Sequence, residues 1–300
     1  MQRGFRISVI TKNGTNPAYD GARIGASRVA DRLGGSVLNA YPEVPDDVPQ
    51  QRALIEAALA ERPDAIVLAP VHPTALDTTL SRVVEAGIPL VYMVSSSPAV
   101  PARSFVTADN RALALAVARH LIAHLGGCGN LVLVAGHPDS PTSLPRTEGF
   151  LAAAAEHTGV RIVAQVRGDY QYDSARNAMA DILGRVPTID GVLAANDFMA
   201  LGVLEALDAV GRSATLVGVN AMPDAVRAIR AGRLLATAAY DAMQMACIAT
   251  EAAVRLLSSL PVPGEIVLPA EIVDAANCEA WALPYVNRQL PEWDTVVGAD

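Results

Sequence analysis

In this 300-residue chain, hydrogen-bonding and aromatic side chains recur directly after short apolar runs. The clearest case is GVLAANDFMALGVLEAL, Gly191 to Leu207, where an apolar run stops at Asn196-Asp197 and a helical pattern begins at once. Val192 to Ala195 read as a buried strand, while Met199, Val203, Ala206 and Leu207 recur at helical spacing. Asn196 therefore stands at a strand's carboxyl end, the edge at which open α/β sheets bind ligands. An amide offers donor and acceptor together, which suits a neutral hydroxylated molecule. Asn196 or Asp197 also suits the N-cap of the following helix, and the junction alone leaves both roles open.

The same placement recurs along the chain. Lys12 to Tyr19, KNGTNPAY, follows the first apolar run; its Gly and Pro mark a loop, and Asn16 and Tyr19 supply hydrogen bonding and a stacking face. Asn-Pro is equally an ordinary way to start a helix. His72 follows the third run, where it fits a surface loop as well as a contact, and Ser95 to Ser97 follow the fourth. In the second half His137 to Arg146, then Tyr170 and Tyr172, then Asn196 and Asn220 each close a run.

Catalytic and metal patterns are missing from the sequence. LGGCGN, Leu125 to Asn130, precedes a strand instead of following one, so it reads as a helix stop and not a phosphate loop. His120 and His124 are four apart on a helix, but HLIAH lacks the Glu of a zinc protease motif and a full ligand set. No serine occupies a nucleophile elbow and no Cys–His pairing is suggested. The chain is expected to be no enzyme, with no cofactor and no bound metal.

These residues need elements to hold them. Apolar runs of strand length, Ile7 to Thr11, Val37 to Tyr41, Ala65 to Pro70 and Leu90 to Val94, alternate with helical segments near 18 to 33, 51 to 62 and 74 to 86. A second set, Leu131 to Ala135, Arg161 to Val166, Gly191 to Asn196 and Leu216 to Asn220, alternates with helices near 146 to 158, 174 to 184 and 198 to 210. Leu234 to Ala239, Ile266 to Leu268 and Ile272 to Val273 add strands, and Met243 to Leu257 a helix. The alternation predicts α/β architecture, two doubly wound parallel sheets with helices on both faces. RPDAIVLAP, Arg62 to Pro70, and PTIDGVLAAN, Pro187 to Asn196, each place Pro and Asp just before a strand, an internal echo of duplication.

Composition narrows the partners. At 51% hydrophobic and 18% charged, the chain reads as soluble and large enough for two cores. No run reaches the roughly 18 apolar residues of a membrane span. A net charge of −8 argues against nucleic acid, whose binding relies on Lys and Arg. Cys128, Cys247 and Cys278 are too few and too scattered for a disulfide framework and read as incidental thiols.

Taken together, TNPAY after the first strand, TADN at Thr107 to Asn110, RTEGF at Arg146 to Phe150, AANDFMALG at Ala194 to Gly202 and VGVNAMPDAVRAIRAGRLLATAAY at Val217 to Tyr240 resemble the type I periplasmic solute-binding proteins. The likeness is to the ribose and sugar-binding group of ABC importers, and more distantly to the effector domains of LacI-type repressors. It implies two lobes joined by three crossings, the first of residues 1–108 plus 241–269 and the second of residues 109–240 plus 270–300. It implies that Asn16 and Tyr19 bind from the first lobe, that Arg146, Asn196, Asn220 and Tyr240 bind from the second or its hinge margin, and that Tyr170 forms an aromatic wall. In this reading Asn196 is the ligand contact, Asp197 is the cap, and hinge closure buries the ligand in the cleft.

The departures shape the expected ligand. Val94-Ser95 stands where many sugar-binding relatives carry an Asp-Arg pair, Asn220 where an acid is frequent, and Ala18 where an aromatic is common. Buried carboxylates accept paired sugar hydroxyls, so their loss argues against ribose and for another sugar or polyol. Lys12, His72 and His137 are candidates to replace the lost contacts, with Ser95 beside them. The resemblance thus implies a receptor that captures a small neutral carbohydrate or polyol for a membrane permease. It implies a monomer, exported to the periplasm, whose secretory signal is not in this sequence. The alternative is the sensory domain of a transcription regulator, which would carry a helix-turn-helix ahead of the first strand, where six residues precede Ile7.

Overall fold

The computed structural model describes residues 4–298. The chain divides into two compact units, residues 1–108, 242–268 and 285–300 in the first and residues 109–241 and 269–284 in the second. The first contains β1 (Arg6–Ile10), α1 (Pro17–Arg32), β2 (Ser36–Ala40), α2 (Val48–Glu61), β3 (Ala65–Leu68), α3 (Asp77–Glu85), β4 (Leu90–Met93) and β5 (Ser104–Ala108). The second contains α4 (Asn110–His124), β6 (Cys128–Ala135), α5 (Ser143–Ala155), β7 (Gly159–Arg167), α6 (Tyr172–Leu183), β8 (Gly191–Ala194), α7 (Asp197–Ala209), β9 (Thr215–Val219), α8 (Pro223–Arg230) and β10 (Ala236–Ala238). The chain then returns α9 (Ala242–Leu257) and β11 (Glu265–Leu268) to the first unit, gives β12 (Ile272–Asp274) to the second, and ends with α10 (Trp293–Val296) on the first. Among the described residues no helix is long and apolar enough to cross a membrane.

The first sheet has the order β11-β5-β4-β3-β1-β2 and is parallel throughout. The second, β12-β10-β9-β8-β6-β7, is parallel except for β12, which runs antiparallel to β10. Central strands such as β3 (AIVL) and β8 (GVLA) are buried along their whole length, the apolar signature of a parallel sheet covered on both faces. In each sheet the winding reverses beside the first strand, between β1 and β3 and between β6 and β8. Connections leaving these pairs depart on opposite faces and open a crevice at the carboxyl edge.

The echo between the halves has a physical content. Asp64 precedes β3, and its Oδ2 accepts from the Arg6 amide at the start of β1, at 2.7 Å. Asp190 precedes β8, and its Oδ2 accepts from the Asn130 amide in β6, also at 2.7 Å. Each carboxylate satisfies a backbone donor near the start of the neighbouring central strand.

Three expectations need correction. The short run SFVTA forms β5 and PDAVRAIR forms α8, neither of which was read as an element. The chain passes between the units four times, at 108/109, 241/242, 268/269 and 284/285, not three. The tail from Tyr285 belongs with the first unit and not with the second. Arg28 Nη1 donates to the carbonyls of Tyr285 and Arg288 at 3.0 and 2.8 Å, Tyr285 packs with Val29, Met243 and Cys247, and the Arg255 guanidinium lies 4.6 Å from the ring of buried Trp293.

Replacing Asp190 by Ala is expected to cost about 1–2 kcal/mol in chemical denaturation, the penalty for a lost charge-assisted hydrogen bond to a partly buried amide. Asp64→Ala, whose bond is more exposed, is expected to cost less; an equal or reversed order would contradict this account.

Candidate functional site

At the carboxyl edge of the second sheet the structure brings Arg146, Tyr170, Asn196, Asn220 and Tyr240 together. Arg146 rises from the first turn of α5 and is only 3% exposed. Its Nε donates to Asn110 Oδ1 at 2.8 Å, its Nη1 to the Ala195 carbonyl at 2.6 Å, and its charged carbon lies 4.5 Å from the Tyr240 ring and 5.8 Å from the Tyr170 ring. The guanidinium is thereby fixed in plane and position, while Nη2 has no hydrogen-bond partner among the described residues.

Asn196 is the N-cap of α7: its extended backbone precedes the helix and its Oδ1 accepts from the Met199 amide at 2.8 Å. Its Nδ2 reaches the Tyr170 carbonyl at 3.4 Å. Asp197, expected as the cap, is instead the first residue of the helix and completely buried. Its Oδ1 accepts from the Thr237 hydroxyl of β10 at 2.6 Å and its Oδ2 from the Met222 amide ahead of α8 at 2.9 Å. Gly218 in β9 leaves room for this carboxylate, since a Cβ there would stand 2.2 Å from Asp197 Oδ1. Asn196 and Asp197 therefore exchange the structural half of their expected roles.

Beyond β9 the chain turns through Asn220 and Ala221, with φ of 134° and 53°. Thr237 Oγ1 accepts from the Ala221 amide, so one hydroxyl bridges the strained turn and the Asp197 carboxylate. Asn220 donates through Nδ2 to the Tyr240 carbonyl at 3.1 Å, and its Oδ1 has no partner among the described residues. Tyr170, at φ 60°, lays its ring over Gly136, where a Cβ would sit 2.2 Å from the ring, and shares a hydrogen bond with Thr142 Oγ1 at 2.8 Å. His137 spends Nδ1 on the Asp139 amide within its own turn.

The first sheet carries its own set at the same kind of edge. Asn16 caps α1, with Oδ1 accepting from the Ala18 amide at 3.0 Å, and Tyr19 lies in the first turn behind it. Lys12 is buried beyond β1. His72 Nδ1 accepts from the Thr74 and Ala75 amides, which shapes the turn after β3. Ser95 donates to the Pro70 carbonyl at 2.8 Å, next to Val94, whose φ of 69° and the Ser95 amide to Met93 carbonyl bond form a γ-turn. Fully buried Gln51, which sequence reading missed, ties the ends of β1 and β3 through the Thr11 and Ala69 carbonyls and the Val71 amide.

Among the described residues eight non-glycine positions have positive φ, and five of them, Val94, Asp169, Tyr170, Asn220 and Ala221, immediately follow strands at these edges. Such backbone is costly and persists where the surroundings over-determine it, as at binding sites. Asn110, Thr142, Asp197 and Thr237 complete the second edge. Asn110 lies in TADN and Asp197 in the strand-to-helix junction, but nothing in the residue types marked Thr142 or Thr237.

Burial pushes the Asp197 carboxyl up to about 6, against the opposing pull of its bonds from Thr237 and Met222 and the charge of Arg146. An unfolded Asp titrates near ~3.9, so the native state binds the proton more tightly. The stabilisation is fully present below about pH 4 and is lost as pH rises through about 6. The stability of wild type minus that of Asp197→Asn is therefore expected to fall by about 2–3 kcal/mol from pH 4 to pH 7.5. Denaturation of both proteins at the two pH values measures it, and a constant difference would remove Asp197 as the titrating group.

With the geometry in place, known proteins supply a second line of comparison. Residues 7–260 match the family described as periplasmic binding protein domain. A D-apiose import binding protein of Actinobacillus succinogenes is 29% identical over 258 residues, 83% of this chain and 82% of that protein. Crystal structures of two ABC transporter solute-binding proteins superpose closely. That from Actinobacillus succinogenes, with bound D-allose, has a TM-score of 0.87 at 25% identity and covers 91% of this chain and 99% of its own. That from Bacillus halodurans, with bound myo-inositol, has a TM-score of 0.85 at 26% identity and covers 94% and 98%. A match over most of its length, with the same two-sheet architecture, means that this chain belongs to the periplasmic binding protein domain family.

Proposed function

We propose that the protein is a non-catalytic solute receptor of an ABC import system, taking a sugar, sugar derivative or polyol at the carboxyl edges of its sheets. In this reading it works as an exported monomer and hands its ligand to a membrane permease. The observation that carries the reading is the edge of the second sheet. There a fixed guanidinium, two amides and two tyrosine rings converge, with donors on Arg146 and an acceptor on Asn220 left unspent. Amides and guanidinium suit vicinal hydroxyls, and flat rings suit the C–H face of a carbohydrate. Relatives that bind D-apiose, D-allose and myo-inositol support the same ligand chemistry.

A thermal-shift panel of pentoses, hexoses, amino sugars, pentitols and inositols, with their oxidised and phosphorylated derivatives, tests the reading. A ligand held only by the native state at 100 times its Kd adds about 2.7 kcal/mol of apparent stability. No response from any member rejects it. For any hit, Asn196→Ser keeps a capping oxygen and removes the amide donor. The variant is expected to stay within about 0.5 kcal/mol of wild-type stability while Kd rises about tenfold. An unchanged Kd would leave Asn196 a helix cap and nothing more.

A further inference from the structure

We propose that Arg23 is a positioning residue for ligand binding at the first unit's edge. With Tyr41 it holds the loop Thr11 to Asn16 in the shape from which Asn16 meets a ligand, and so sets affinity through that loop. The proposal rests on the receptor reading and deepens it on the side of the first unit.

The loop TKNGTN joins β1 to α1 and contains no apolar side chain, so it carries no anchor of its own. Gly14 adds backbone freedom, and a loop that must be ordered at the moment of binding costs affinity. Yet Thr11, Lys12, Asn13 and Asn16 are all buried. Their order comes from outside the loop. On the strand side Gln51 donates to the Thr11 carbonyl at 3.2 Å. On the helix side Arg23 of α1 reaches back, its Nη1 donating to Thr11 Oγ1 at 2.9 Å and to the Asn13 carbonyl at 3.0 Å. Asn13 passes the constraint on, its Oδ1 accepting from the Asn16 amide at 2.9 Å, and Asn16 Oδ1 then caps α1 at the Ala18 amide. One guanidinium thus fixes the residue that fixes Asn16.

Tyr41, just past β2, completes the arrangement. The Arg23 guanidinium carbon lies 4.4 Å from its ring, and the ring stands so close to Gly14 that a Cβ there would be 2.4 Å from Cε2. Close approach therefore requires glycine at this position. The ion pair of Arg23 with Asp20 does not account for this placement. The Asp20 side chain is 55% exposed and such a pair gains little, whereas the Arg23 side chain is only 11% exposed. Reaching Thr11, Asn13 and Tyr41 together is what draws it in, and a planar fork that both donates and stacks suits that task.

Hydrogen exchange of the full chain, resolved to single amides, reads the loop directly. Arg23→Met keeps the aliphatic stem and removes the donors, and the Asn16 and Ala18 amides are expected to exchange about tenfold faster. Arg28→Met, which loses two carbonyl contacts from the same helix to the tail, is expected to leave both rates within about twofold of wild type. Gly14→Ala is expected to loosen the loop, and adding Tyr41→Ser to cause no further loosening, because the collision is gone. In calorimetric titration with myo-inositol and D-allose, Kd is expected to rise about tenfold in Arg23→Met and also in Arg23→Lys, which keeps the charge without the fork, but not in Arg28→Met. Loop exchange and Kd untouched by Arg23→Met, or moved as far by Arg28→Met, overturn the proposal. Wild-type values in Arg23→Lys overturn it too, since charge alone would then suffice. Failure of both sugars to bind wild type counts against the receptor reading, and the exchange rates still decide whether Arg23 holds the loop.

Discussion

A strand covered by helices on both faces has no place for an unpaired polar side chain until it ends. In both sheets the interior strands are buried through their carboxyl halves, β3, β4 and β8 from first residue to last, and hydrogen-bonding side chains gather just past their carboxyl ends. Parallel pairing then puts all of these ends on one edge of each sheet. The two winding reversals, beside β1 and beside β6, spread the connections apart at that edge. The concentration of Arg, Asn and Tyr described above follows from topology before any ligand is considered.

Within the second unit the edge hangs on Asp197. Its carboxylate joins α7 to β10 through Thr237 and to the start of α8 through Met222, and the Thr237 hydroxyl also supports Ala221. Together with the Asn220 amide bond to the Ala238 carbonyl and its Nδ2 bond to the Tyr240 carbonyl, these bonds hold Asn220 and Ala221 in the left-handed region, and Asn220 is the residue that leaves an acceptor open. The buried acid is therefore a positioning residue, two connections removed from the atoms a ligand would meet. Because burial pushes its carboxyl up to about 6, ionisation as pH rises through that value costs stability at the same network.

The sequence made most strands and helices legible because burial imposes continuous apolar runs, and their ends delivered Asn16, Tyr19, Arg146, Tyr170, Asn196, Asn220 and Tyr240 but not the supporting Gln51, Thr142 and Thr237. Strand β5 escaped because SFVTA carries hydroxyls at two of five positions and so lacks an unbroken run. The roles at the Asn196-Asp197 junction were harder. Both residue types cap helices, and only the backbone shows that the helix starts one residue later than Asn196, which turns the Asp side chain inward. Arg146 was found through its motif, but its lack of an ion pair is a fact of three-dimensional packing that no spacing reveals. The tail after residue 284 was misassigned for a similar reason, since its attachment to α1 depends on Arg28 meeting two backbone carbonyls far along the chain.

The two halves share a scaffold and differ at their edges. Asp64 and Asp190 do the same work ahead of equivalent strands, and strand order is preserved from β2 to β5 and from β7 to β10. Past the strand ends the correspondence stops. The first edge closes its turns with His72, Ser95 and Gln51 bonded to backbone, while the second exposes unspent donors on Arg146 and an acceptor on Asn220. A connection outside the sheet can change without disturbing the buried strands, so it is there that two copies of one scaffold can acquire different chemistry. The asymmetry explains how the family's scaffold can persist while side chains at its edge are replaced.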